Sequence, residues 1–194
     1  LHPRVRRQRQ MCIRDSSVPI IKEIIRAYRI PILEVAGYEA DDVIGTLATE
    51  AGRQGIITYM MTPDKDYGQL VSDKVFMYRP KHTGGFEVMG VDEVKAKFDI
   101  QSPAQVIDML GLMGDSSDNI PGCPGVGEKT AQKLIAEFGS IENLLEHTDQ
   151  LKGALKTKVE TNREMITFSK FLATIKIDVP IQLDMDSLVR EQAD

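Results

Sequence analysis

The run GIITYMMT, from Gly55 to Thr62, constrains this chain most. Its β-branched and aromatic residues show no polar alternation, and Gly55 and Pro63 bound it. So short an apolar run suits a strand buried on both faces of a parallel sheet better than a helix. Helical patterns flank it. Upstream, EADDVIGTLATEA follows Gly37 with Val43, Ile44 and Leu47 turned inward. Further upstream, Val18–Ile30 puts Ile20, Ile21, Ile24, Ile25 and Tyr28 on one helical face, Pro31 stops it, and Ile32–Val35 reads as a short strand. Downstream, DKDYGQLV reads as helical, Val75–Tyr78 and Phe86–Met89 as strands, and Val91–Phe98 as a helix. Strands alternating with helices predict an α/β layer with a mainly parallel sheet. From Ser102 the pattern turns helical with glycine-rich connections, leaving only weak strand signals near Pro180–Leu183. The expected organisation is a basic tail over residues 1–17, an α/β part over 18–100 and a helical part over 101–194.

Composition enters by exclusion. A chain of 194 residues, 42% hydrophobic and 27% charged, can bury a core without disulfide or metal staples. Cys12 and Cys123 form neither a disulfide framework nor a zinc pattern. No apolar run approaches the ~18–20 residues of a membrane span, so the expectation is a soluble, intracellular protein with no membrane partner. The net charge of −5 is uneven: residues 1–17 hold five arginines and one aspartate, +4, which leaves −9 for the rest. That tail could be an arm for nucleic acid or membrane. Lacking periodicity and containing Met11, it reads instead as a non-native segment to set aside. A body at −9 is no ordinary nucleic-acid binder unless its carboxylates are gathered to hold cations.

Those carboxylates fall in three groups, each at an element end. Glu39, Asp41 and Asp42 in GYEADD open a helix, where acids also favour the helix dipole by ~0.3–1 kcal/mol each. Asp64 and Asp66 in TPDKD follow the apolar strand, and a spacing of two aims both side chains one way. The C-terminal ends of parallel strands are where open α/β sheets hold ligands. Helix capping by Asp64 would explain one of these acids but not the second. Asp115 and Asp118 in GLMGDSSDNIPG occupy a stretch of ordinary turn residues. Gathered in space, the seven would repel and raise one another's pKa unless divalent cations neutralised them. Mg²⁺ takes hard oxygen ligands, and two such ions ~3.5–4 Å apart can activate water and stabilise the leaving oxygen in phosphodiester cleavage. His2, His82 and His147 are scattered, and no zinc or Ser–His–Asp pattern competes.

The stretch PGCPGVGEKTAQKLI (Pro121–Ile135) misses the Walker A pattern, with Glu128 where lysine is required after Gly127. No buried strand precedes it either. Gly125 and Gly127 would still let the backbone approach a phosphate at the start of an amphipathic helix, beside Lys129, Thr130 and Lys133. Such a grip on a nucleic-acid backbone is independent of sequence, and a plain tight turn between helices is the alternative.

GYEADDVIGTLA, TPDKDYGQLV, LMGDSSDNIPG and PGVGEKTAQKLI, in that order, closely resemble the 5′-nuclease domain of bacterial DNA polymerase I, within the flap endonuclease family. The resemblance runs from about residue 18 to the C-terminus and includes FLATIKIDVP at Phe171–Pro180. It implies a Rossmann-like (PIN-like) sheet flanked by helices, then a helix–three-turn–helix module that clamps duplex DNA. Glu39, Asp41, Asp42, Asp64, Asp66, Asp115 and Asp118 match the family's Mg²⁺ or Mn²⁺ ligands, for two ions. Of these, Asp41, Asp64, Asp66 and Asp115 are assigned to catalysis. Gly122, Gly125, Val126, Gly127, Lys129, Thr130 and Lys133 match the DNA-backbone grip, where the family also holds K⁺. The implied activity is 5′→3′ exonuclease and 5′-flap endonuclease cleavage in primer removal and repair. A monomer in the bacterial cytoplasm, with polymerase domains in cis, is the implied setting. A DNA-binding module without catalysis and a stand-alone flap endonuclease are the alternatives.

The sequence departs from the family at its start. The family's domain opens with a strand bearing a further metal-ligand Asp, followed by a helical arch carrying Lys, Arg and Tyr. Nothing before Val18 matches either, and Asp15 has no buried-strand context. The expectation is an N-terminally truncated piece of a longer polymerase, with apolar surface left uncovered where that strand would lie.

Overall fold

The computed structural model describes residues 16–81 and 83–190. They fall into two compact units: Tyr38–Ile181, and the residues up to Gly37 together with those from Gln182 on. The latter contains a helix, α1, over 16–27, closed by Arg29 in the left-handed region (φ 51°) ahead of Pro31. Ile32–Val35 is not a strand, because no described neighbour offers its backbone a partner. The expectation over residues 1–15 lies outside the described residues.

Within Tyr38–Ile181 the α/β elements follow the predicted order. They are α2 (Ala40–Arg53), β1 (Thr58–Met61), a 3₁₀ helix (Lys65–Leu70), β2 (Val75–Pro80), β3 (Phe86–Met89) and α3 (Val91–Phe98). The sheet order is β1-β2-β3. β1 runs parallel to β2 (Thr58 opposite Val75), and β2 antiparallel to β3 (Pro80 opposite Phe86). β1 corrects one expectation: it is an edge strand buried on one face only. Met60 packs inward at 4% exposure, whereas Tyr59 and Met61 stand 57% and 75% exposed. The physical reason is that among the described strands β2 alone flanks it, and α2 packs against it.

The remaining chain is helical: α4 (Val106–Met113), α5 (Glu128–Phe138), α6 (Ile141–Glu146), α7 (Gly153–Thr161) and α8 (Arg163–Ala173). α4, VIDMLGLM, is apolar nearly all round and so lies at the centre, packed against α5, α8 and the 3₁₀ helix. Gly111 permits the close α4–α8 approach, since a Cβ there would meet the Lys170 Cα at 3.0 Å. The one acid in α4, Asp108, is buried but partnered: its Oδ1 accepts from the Ile141 N–H (2.9 Å) and the Lys170 ammonium (2.6 Å).

After α8 the chain returns to the α/β elements without forming a strand, and the weak signals near Pro180–Leu183 come to nothing. Side chains take the place of a ladder. Gln69 donates to Ala173 O and accepts from the Ile175 N–H, both at 2.9 Å. The Lys176 N–H donates to Asp42 Oδ1 (2.9 Å), and the Val179 N–H to Thr46 Oγ1 (3.2 Å). This return segment brings acids from both parts of the chain to one cleft.

Candidate metal centre and nucleic-acid interface

The three acidic groups converge. Glu39, Asp41, Asp42, Asp64, Asp66 and Asp118 line a single cleft of about 700 Å³, which residues 171–176 also line. Asp115 stands at its buried margin. Carboxylate oxygens of Asp66, Asp115 and Asp118 all lie within 4.8 Å of one another. Opposite ligands of a hard divalent ion at ~2.1 Å would stand about 4.2 Å apart, so these three oxygen donors fit such an ion. Glu39, Asp41, Asp42 and Asp64 share the cleft without joining that tight triad.

Local structure explains each placement. Glu39 is the N-cap residue of α2 but makes no side-chain cap, so its carboxylate is not spent on the helix start beside Asp41 and Asp42. Asp41 Oδ1 accepts from the buried Tyr67 hydroxyl at 2.8 Å. Asp64 does cap the 3₁₀ helix, its Oδ1 accepting from the Asp66 N–H at 3.0 Å, and this turn carries Asp66 toward Asp115. The two readings of Asp64, as cap and as cleft acid, are therefore compatible. Asp115 and Ile120 pair backbone to backbone, closing a tight loop with Asn119 at φ 58°. The Ser117 N–H donates to Asp115 Oδ1 (2.7 Å), fixing the carboxylate.

Lysine 65 is the residue that sequence reasoning missed. Its ammonium donates to Asp115 Oδ2 and, at 3.2 Å, to Asp66 Oδ1. Burial alone would lower the Lys65 pKa, but the hydrogen bond to Asp115 and the two carboxylate charges outweigh it, so the net direction is up. For Asp115 burial pushes up, yet Lys65 and the Ser117 N–H carry the carboxyl below its usual range. Asp66 goes the other way: burial, with the charges of Asp64 and Asp115, outweighs Lys65 and raises it. The Tyr67 hydroxyl is raised by burial and by its bond to Asp41. The only sequence cue to Lys65 was its place between two acids, which reads equally as a solvated charge.

The glycine-rich loop divides into two sides. Gly125 and Gly127 are exposed, as are Lys129 and Lys133, and Thr130 is half-buried on the first turn of α5. Gly122 and Val126 are buried instead. Gly122 gives its N–H to Ser169 Oγ (2.9 Å) and lies against Gly114, so it shapes the loop and does not face solvent. Lys158 of α7, which no sequence pattern marked, reaches over the loop to Gly125 O at 3.3 Å. The exposed side thus carries three lysines.

With the site in view, comparison with known proteins decides the family. Sequence models described as "5′-3′ exonuclease, N-terminal resolvase-like domain" and "5′-3′ exonuclease, C-terminal SAM fold" match residues 6–99 and 101–194. The chain belongs to the 5′–3′ exonuclease family. DNA polymerase I of Bacillus caldotenax is 43% identical over 178 residues, 91% of this chain and 20% of that protein. DNA polymerase I of Bacillus subtilis (strain 168) is 46% identical over 176 residues, 90% of this chain and 20% of that protein. The chain therefore spans about a fifth of the length of these curated relatives. Among solved structures, T5 5′-exonuclease with bound zinc shares the exonuclease fold at TM-score 0.66 and 23% identity, over 74% of this chain and 52% of that one. The catalytic core of Rad2 with DNA substrate matches at TM-score 0.59 and 18% identity, over 94% of this chain and 63% of that one. No helix among the described residues is long and apolar enough to cross a membrane.

Proposed function

We propose that this exonuclease-family chain cleaves DNA phosphodiesters from the 5′ side, as exonuclease and 5′-flap endonuclease, at a divalent-metal centre in the acidic cleft. One observation carries the reading: acids from three sequence-distant segments meet in one cleft, with the Asp66, Asp115 and Asp118 oxygens within 4.8 Å. All-carboxylate donors suit Mg²⁺ or Mn²⁺. Asp66, Asp115 and Asp118 would hold one ion. Glu39, Asp41, Asp42 and Asp64 would hold a second, directly or through water, with Asp41, Asp64, Asp66 and Asp115 nearest the chemistry. Divalent ions in such a site supply an activated water and charge stabilisation for the departing oxygen. The chain's own residues set the geometry, Tyr67 orienting Asp41 and the Ser117 N–H orienting Asp115.

The exposed side of the glycine-rich loop serves as the duplex grip. Gly125 and Gly127 let phosphate approach, and Lys129, Thr130, Lys133 and Lys158 supply charge and hydrogen bonds, with Gly122 and Val126 holding the loop from below. Gly125 O already accepts an ammonium, chemistry that K⁺ would share. A polymerase with further domains in cis, working in the bacterial cytoplasm, is the setting that the relatives support. The test is cleavage of a 5′-flap DNA with Mg²⁺, beside binding of the same DNA in Ca²⁺. Asp115→Asn should lower cleavage at least about a hundredfold while leaving binding within about threefold. Binding without cleavage by the unsubstituted chain, in Mg²⁺ or Mn²⁺, would instead make it a DNA-binding module.

A further inference from the structure

Lys65 bridges two of the three carboxylates that fit a cation, a position that charge balance alone does not require. Both Asp115 oxygens are engaged: Oδ1 accepts from the Ser117 N–H at 2.7 Å, and Oδ2 from Lys65. The same ammonium lies 3.2 Å from Asp66 Oδ1. A divalent ion ligated by Asp115 would stand ~2.1 Å from one of these two engaged oxygens, and at Oδ2 the lysine nitrogen is in its way and repels it. The lysine is free to leave. Its side chain is 32% exposed, its four-carbon stem is flexible, and no other hydrogen bond of its ammonium is described.

Resting on the metal-centre reading above, we propose that Lys65 is a built-in, exchangeable counter-ion: it holds the Asp66–Asp115 limb together without metal and is displaced when a divalent ion binds. Lys65 is thus a positioning residue that sets how tightly the centre takes its ion. The exchange has two consequences. Without metal, Lys65 screens a cluster that would otherwise repel itself, so it stabilises the fold. With metal, its displacement opposes binding, so the affinity is lower than three converging carboxylates would otherwise give.

Mn²⁺ binding to the 194-residue chain, read by electron paramagnetic resonance of the free ion, tests this directly. Lys65→Met keeps the stem and removes the charge, and should lower the Mn²⁺ Kd about tenfold, the scale of one charge-assisted contact. Lys65→Arg, which keeps the charge, should bind no more tightly than the parent. In EDTA, K65M should melt below the parent, and the gap should close in saturating Mn²⁺. K65Q gives the same comparison if K65M does not fold. An unchanged or higher Kd in folded K65M, beside a parent that binds Mn²⁺ and an Asp115→Asn variant that does not, overturns the exchange and leaves the metal centre standing. Equal Mn²⁺ uptake by the parent and Asp115→Asn overturns the metal centre itself, and the exchange falls with it.

Discussion

The helices after residue 105 and the sheet before residue 100 are built to different standards. Nine of the twelve largest fully buried side chains belong to the helices, among them Met109, Leu110, Leu112 and Ile166, so the weight of the core lies there. The sheet keeps one apolar face open. Among the described residues Tyr59, Met61, Phe86 and Val88 stand 47–75% exposed, with ring pairs Tyr59–Phe76 at 5.6 Å and Tyr78–Phe86 at 4.7 Å between the strands. The acidic cleft lies where the two meet. The helical part supplies Asp115 and Asp118 on a backbone-paired loop, and the sheet part supplies the other five acids. The site therefore has one rigid wall and one more yielding wall, joined by the Gln69, Asp42 and Thr46 contacts to the return segment.

The sharpest way to break that contrast is to loosen the rigid wall from within. Asp108→Ala removes the acceptor of the Ile141 N–H and of Lys170 from a buried position. Lys170 keeps Glu142, but the Ile141 N–H is left unsatisfied in the interior. A loss of about 3 kcal/mol is expected in urea unfolding, the scale for breaking a buried charged network. Amide exchange should locate the damage: protection along α4 and α8 should fall toward that of β1, erasing the difference between the halves.

A smaller effect separates the two sides of the glycine-rich loop. At Gly122, φ is 62°, and an added Cβ would fall on the Gly114 backbone, 2.7 Å from its Cα. Gly122→Ala should cost about 2 kcal/mol through strain and overpacking. Gly127 has no atom within 4 Å of the added carbon and an ordinary φ of −98°, so Gly127→Ala should fall within about 0.5 kcal/mol. Equal losses from the two, measured by thermal melting, would contradict a buried side and an open side.

These cases also mark what was legible in the sequence. Local pattern sufficed for β3 and α3, whose bounds coincide with the apolar spacing, and it found every acid of the cleft because each group stood at an element end. It failed where partners are distant in the chain. Ile32–Val35 has the composition of a strand, but pairing is decided by neighbours and none is described beside it. Gly122 and Gly125 look alike in PGCPGVG, and only the approach of Gly114 and Ser169 distinguishes them. Lys65 meets Asp115 fifty positions away, and the helical reading of DKDYGQLV does not mark that pairing.

The smallest expected effect is a pH dependence at the rim of the rigid wall. Burial alone would raise the Glu142 carboxyl, but its bond from Lys170 outweighs this and the carboxyl lies below its usual 4.5. The Lys170 ammonium lies above its usual 10.5, because its bonds to Asp108 and Glu142 outweigh the opposing effect of burial. A depressed carboxyl contributes stability that is present above its unfolded value and lost as pH falls through the folded one. A raised ammonium contributes stability that is present below its unfolded value and lost as pH rises through the folded one. The pair therefore acts fully between about pH 5 and pH 10. Glu142 is 64% exposed, so solvent and salt screen its share. Melting temperatures of the parent and Glu142→Gln should differ by a small constant amount across that window and converge below pH 4.5. At 1 M salt the gap should shrink further, while the loss in Asp108→Ala, whose carboxylate is buried, should persist. A gap in Glu142→Gln as large as that in Asp108→Ala would place the strength of the helical wall in its surface charges and not in its interior.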